Sequence, residues 1–71
     1  MEDYIKYLYK QEIEGLKNII DQYQKELIWA ETGTHLCAGL PLSERRAIAQ
    51  ALRESIQNNE RVIKQYKLQM V

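Results

Sequence analysis

The sequence has few of the residues that stabilise small domains through disulfide bonds or bound metal ions. Its 71 residues include one cysteine, one histidine and one proline. One cysteine cannot form an internal disulfide, and one histidine with one cysteine cannot complete a four-ligand metal site. A chain this short buries only a modest part of its surface by itself. We therefore expect no metal and no cofactor, a reducing cytoplasmic location, and stabilisation by other copies of the chain.

The sequence also lacks an excess of charge of either sign and any long apolar run. Ten basic and ten acidic side chains give a formal net charge of zero. Unspecific binding along DNA or RNA needs a surplus of Lys and Arg facing the phosphates, so extended nucleic acid is not an expected partner. No run is apolar and long enough to span a bilayer, and no signal peptide opens the chain. These features predict a soluble, unsecreted protein.

What the chain does have is helical periodicity. Residues 2–31 predict one long helix because apolar residues recur there at alternating spacings of three and four. Gly33 suits a left-handed cap after this helix. The stripe consists of Ile13, Leu16, Ile20, Tyr23, Leu27 and Ala30, with Ile5 and Tyr9 extending it upstream.

Residues 43–70 predict a second helix with a heptad seam. Ser43 is a natural N-cap for it, and Pro41 prevents an earlier start. Asn59 is a polar residue within the seam, and we interpret it as fixing register and oligomer number at a cost in stability. The seam consists of Ala49, Leu52, Ile56, Asn59, Ile63, Tyr66 and Met70.

Two long helices joined by a short connector, residues 32–42, predict an antiparallel hairpin. The chain is thus expected to be a single all-α domain over residues 1–71. One hairpin leaves half of each apolar stripe exposed, so we expect hairpins to assemble into a helical-bundle homo-oligomer.

A second apolar line on the first helix raises a further question. Leu8, Gly15 and Trp29 share one heptad position. Glycine in a helix interior costs about 1 kcal/mol relative to alanine. Gly15 is either a tolerated surface glycine or a point of close approach by a neighbouring chain.

Catalysis finds little support in the sequence. A nucleophile needs a base beside it, and only His35 with Cys37 or Thr34 offers that pairing. The three glycines are isolated, so no phosphate-binding glycine loop is present. We expect His35 and Cys37 to have structural roles and the protein not to be an enzyme.

Two groups of residues favour binding of a small anion. Aromatic faces can stack on bases, lysines can hold phosphates, and arginines at a helix start can bind a phosphate. The two groups, contributed by different subunits, would meet around one ligand. In the alternative interpretation, the tyrosines pack in an interface and the arginines pair with acidic residues. The candidate residues are Tyr4, Tyr7, Tyr9 and Lys10 in the first helix, and Ser43, Arg45 and Arg46 in the second.

Residues 43–56, Ser-Glu-Arg-Arg-Ala-Ile-Ala-Gln-Ala-Leu-Arg-Glu-Ser-Ile, resemble the second helix of the hairpin domain in phage anti-CBASS and anti-Thoeris sponge proteins. The resemblance implies an all-helical oligomer that sequesters cyclic oligonucleotide signals without cleaving them and so blocks the host's immune effector. The family's helix-start arginine would fall on Arg45. As an exposed residue, Arg45 would contribute little to folding. Ile48 departs from the small residue expected one turn later.

Two other readings of the sequence remain open. Residues 57–66 echo the second helix of the small sporulation aspartyl-phosphatases, which are also helical hairpins, but the Ser-Gln-Glu-Leu-Asp core of that family is absent. From this similarity we take only the shared architecture. The third reading is a coiled-coil adaptor whose exposed stripe binds a helix of another protein.

Overall fold

Two long helices packed side by side make up the computed structural model, which describes residues 2–71. Helix α1 spans Glu2–Thr32 and helix α2 spans Leu42–Gln69, with one 3-10 turn, His35–Cys37, between them. The described residues contain no strand. Tyr9 near the start of α1 packs against Tyr66 near the end of α2, so the helices run antiparallel. The predicted all-α hairpin is confirmed for this part of the chain.

The first helix ends at the predicted cap. Gly33 has a φ of 67°, a left-handed conformation that glycine adopts without steric cost. Its N–H donates to the carbonyl oxygen of Trp29 at 2.8 Å, and the N–H of Thr34 donates to the same oxygen at 3.1 Å. These bonds satisfy a carbonyl at the helix end and turn the chain towards α2.

The second helix begins one residue earlier than predicted, and the expected N-cap was wrong. Pro41 occupies the N-cap position with a φ of −58°, and its carbonyl accepts the first helical bond, from the N–H of Arg45. Ser43 lies inside the first turn and is exposed. The proline ring fixes the backbone just before the helix, so Leu42 can already be helical and no side chain caps the start.

The core lies along the predicted seam. Every residue of the two predicted stripes is buried or half-buried except Ile5, which is exposed. Ile5 lies on the edge of the hairpin and not in the seam, in heptad register with Ile19, which is also exposed. The central cluster consists of Ile13, Ile20, Ile56 and Ile63, and a second cluster at the bend consists of Ala30, Cys37 and Ala49.

One edge of the hairpin is basic. Arg53 pairs with Glu31 across the two helices on this edge. Lys17 and Lys67 line a shallow opening further along it. Residues seven apart lie on the same side of a coiled-coil helix. Steps of seven from these residues therefore trace the edge along both helices. The basic edge consists of Lys10, Lys17, Gln24 and Glu31 on α1, and Arg46, Arg53, Glu60 and Lys67 on α2.

The opposite edge has no Lys or Arg at the heptad positions that define it, although Lys6 lines its opening at the free end of the hairpin. Ile5 of α1 and Gln69 of α2 line the same opening at the free end of the hairpin. Steps of seven from these two residues trace the edge towards the bend. The apolar edge consists of Ile5, Glu12, Ile19 and Glu26 on α1, and Ile48, Ser55, Val62 and Gln69 on α2. A chain of zero net charge therefore has two chemically different sides.

Candidate anion-binding site

Three arginines line one open depression of about 490 Å³ at the bend of the hairpin. The end of α1 forms one wall and the first three turns of α2 form the other. Glu31 is the only carboxylate that lines it in the described chain, so positive charge prevails. The lining residues are Ala30, Glu31, Leu42, Arg45, Arg46, Ala49, Gln50 and Arg53.

Arg45 is engaged with the backbone of α1. Its Nη1 donates to the carbonyl oxygen of Ala30 at 3.1 Å and to that of Glu31 at 3.4 Å. The side chain is half-buried. The guanidinium thus satisfies carbonyls at the end of α1, where the helix dipole also favours a cation. The expectation that Arg45 is exposed was wrong, because the bend brings the end of α1 against it.

Arg46 and Arg53 are the more accessible cations of the depression. Arg53 Nη2 lies 3.1 Å from Glu31 Oε2, and both side chains are about half exposed. The guanidinium of Arg46 makes no hydrogen bond to another described residue, and the residue is exposed. Arg53 was missed at the sequence level. Its signal was its position seven residues after Arg46, which puts both on one side of α2.

The tyrosine group lies at the other end of the hairpin. Twenty-two residues separate Tyr9 from Glu31, or roughly 33 Å of helix. Tyr9 packs on Tyr66 with ring centroids 5.4 Å apart. Tyr4 and Tyr7 are exposed. One hairpin therefore does not bring the tyrosines and the arginines together.

Lys10 and Ser43 are the remaining predicted binding residues, and both are exposed. Lys10 lies on the basic edge, near the free end with the tyrosines. Ser43 lies in the first turn of α2, between Leu42, which lines the depression, and Glu44. Ser43 is thus adjacent to the arginine depression, whereas Lys10 is remote from it.

His35 and Cys37 pack at the bend. The His35 ring stacks on Trp29 with centroids 4.8 Å apart, and its Nδ1 lies 3.3 Å from Thr34 Oγ1. Cys37 is buried against Ala30 and Ala49. Across residues 2–71, no three His, Cys, Asp or Glu side chains gather as a metal ion would require. Neither residue lines the depression.

Comparisons with protein-family models, curated proteins and solved structures give no match for this chain. No helix within residues 2–71 has the length and apolarity needed to cross a membrane. Fold and site alone therefore define the class, which is a two-helix hairpin with an arginine-lined depression at its bend.

Proposed function

We propose that this protein is a homo-oligomeric binding protein that captures a small phosphate-bearing ligand at the arginine depression. The observation that carries the proposal is the convergence of three arginines with a single carboxylate around one open depression. Its volume lies within the roughly 300–1,000 Å³ typical of small-molecule sites. Guanidinium groups bind phosphate through paired N–H donors, which gives both charge and geometry.

Each arginine has a different part in this binding. Arg46 is free to approach a phosphate directly. Arg53 can exchange the exposed Glu31 carboxylate for a ligand phosphate, since exposed ion pairs are weak. Arg45 holds the two helix ends in place and adds its charge. The first N–H groups of α2 have no partner within the helix and, with the Ser43 hydroxyl, add donors beside the arginines.

The ligand class that we propose is a cyclic oligonucleotide, held without cleavage. The resemblance of residues 43–56 to phage sponge proteins supports this class. The residues that line the depression include no histidine, cysteine or lysine, and their one carboxylate, Glu31, is paired with Arg53. Tyr4 and Tyr7 would stack on bases only from another copy, because they lie far from the arginines of their own hairpin. The protein would act in the host cytoplasm as a phage agent of immune evasion.

A panel of cyclic di- and trinucleotides in a thermal-shift assay tests the proposal, with calorimetry for any compound that raises the Tm. A ligand that binds only the folded state raises the Tm as its concentration rises. Chromatography should recover the ligand intact after heating. Recovery of hydrolysed ligand would show an enzyme instead.

The Arg46→Ala variant is the decisive one, with Arg61→Ala as its matched control. Arg61 is an exposed arginine of α2 outside the depression, where it contacts Asn58. We expect Arg46→Ala to weaken binding at least about tenfold, the value of one charge-assisted hydrogen bond, and Arg61→Ala to leave it unchanged. Equal losses in both variants would mean unspecific attraction. No binding of any cyclic oligonucleotide would favour the protein–protein adaptor.

A further inference from the structure

The apolar edge leaves large aliphatic side chains in solvent. Ile5 is 48% exposed, Ile19 43% and Val62 39%. Leu8 occupies the heptad position of α1 next to that of Ile5 and Ile19, and it is 45% exposed. Single exposed apolar residues are ordinary, but these four lie along one side of a rod whose other side is basic. This side is therefore a candidate contact surface.

Gly15 lies within this surface, on the line that also contains Leu8. A Cβ built on Gly15 would have no neighbouring atom within 4 Å. Nothing within the hairpin therefore requires a glycine at position 15, although glycine in the middle of a helix is unfavourable. A second helix crossing closely at this point would use it, because only glycine allows the backbones to approach without a side chain between them.

The accessible surface of the hairpin is larger than that of a typical folded monomer of its size. It amounts to 5553 Å², whereas a monomer of 8.4 kDa is expected to expose roughly 4,600 Å². The excess of roughly 900 Å² is close to the area that each partner buries in a standard protein interface, about 800 Å². The radius of gyration, 15.7 Å, likewise exceeds the roughly 11 Å of a compact domain of this length.

We propose that two copies pair through their apolar edges about a two-fold axis, with the α1 helices crossing near Gly15 to give a four-helix dimer. A second copy fits this surface because a two-fold contact uses the same patch on both partners. One such contact covers both patches and buries the excess area of both chains. Glu12 and Glu26 lie on the same edge, Glu12 exposed and Glu26 half-buried. This inference rests on the homo-oligomer of the proposed function and names its surface.

The basic edge, with its arginine depression, lies on the far side of the hairpin and stays open in this dimer. This contact and phosphate binding by the arginines therefore use different surfaces, and stacking by Tyr4 and Tyr7 of another copy would need a further contact between copies. A failure of one leaves the other measurable.

Sedimentation equilibrium at micromolar concentration tests the inference. We expect twice the chain mass of 8.4 kDa for the wild type. Gly15→Gln should weaken the dimer at least about tenfold, because a side chain then separates the crossing helices. Glutamine is a better helix former than glycine, so a folding loss is not expected, and circular dichroism at high concentration checks this. A Gly15→Gln protein that stays dimeric and melts at a higher temperature than the wild type would show that Gly15 is a surface residue with no role in an interface. That result would overturn the proposal.

Ile19→Lys and Gln24→Lys form a matched pair for the same measurement. Both residues are exposed on α1, but Ile19 lies on the apolar edge and Gln24 on the opposite side. We expect Ile19→Lys to shift the protein towards monomer and Gln24→Lys to leave its mass unchanged. A monomeric wild type would overturn the dimer, and so would a dimer that withstands Ile19→Lys. Calorimetry with the ligand on the same samples reports separately on the arginine depression.

Discussion

The guanidinium of Arg45 lies beside Gly33 across the bend: a Cβ added to Gly33 would lie 3.2 Å from both Cζ and Nη1 of Arg45. Gly33 thus meets two requirements, a left-handed φ and room for a guanidinium. Through this contact the start of α2 is tied to the end of α1. Two predictions on stability follow from it.

Arg45→Ala should lower the free energy of unfolding by about 1–3 kcal/mol. The substitution removes two hydrogen bonds to helix-end carbonyls and a cation at the negative end of the α1 dipole. Urea denaturation followed by circular dichroism measures the change. Arg46→Ala is the matched control and should change stability by less than about 0.5 kcal/mol. Equal effects would mean that the Arg45 contacts do not stabilise the bend.

Gly33→Ala should destabilise the hairpin by roughly 1–2 kcal/mol for the left-handed backbone alone, and by more because of the Arg45 contact. In an Arg45→Ala background the additional loss should disappear, which a double-mutant cycle measures. Gly39→Ala is the control, since Gly39 has a φ of 82° but open space around it. Additive losses for Gly33→Ala and Arg45→Ala would contradict the coupling.

Asn59→Leu should raise the free energy of unfolding by about 1 kcal/mol and alter the oligomer number. Asn59 is a half-buried seam residue whose amide bonds to no other residue in the described part of the chain. Thermal unfolding and sedimentation measure the two effects. Gln57→Leu, an exposed neighbour on α2, should change neither. Lower stability with unchanged mass would mean that the amide of Asn59 is bonded in the assembled protein.

Glu31→Gln should tighten ligand binding several-fold and lower stability by no more than about 1 kcal/mol. The carboxylate neutralises Arg53 at 3.1 Å, so its removal leaves the depression more positive. Calorimetry at low and high salt should show a larger gain at low salt, where screening is weaker. Glu54→Gln is the control, because Glu54 lies outside the depression and only accepts a bond from Gln50. Unchanged affinity would place the ligand elsewhere.

Periodicity predicted the hairpin because burial in a two-helix rod follows directly from spacing along the chain. Ile13 and Ile20 on α1 are seven residues apart, as are Ile56 and Ile63 on α2, and all four are buried in one cluster. Gly33 was equally predictable, since few residues adopt the backbone conformation that ends a helix this way. These features depend on local sequence alone.

Features that depend on contacts between the helices were not predictable. The sequence placed Arg45 at a free helix start, but the backbone of α1 lies against it there. The position of Arg53, seven residues after Arg46, was a local signal, but its pairing with Glu31, 22 residues away, was not. The separation of the tyrosines from the arginines within one hairpin, by contrast, follows from the antiparallel direction that the spacing already predicted.

Trp29 gives the bend an optical signal of its own. It is the only tryptophan in the chain, it stacks on His35, and it immediately precedes Ala30 in the wall of the depression. Tryptophan emission therefore comes from the bend alone, and excitation at wavelengths that tyrosine does not absorb separates it from the emission of the five tyrosines. Opening of the bend and filling of the depression can thus be followed without a dye.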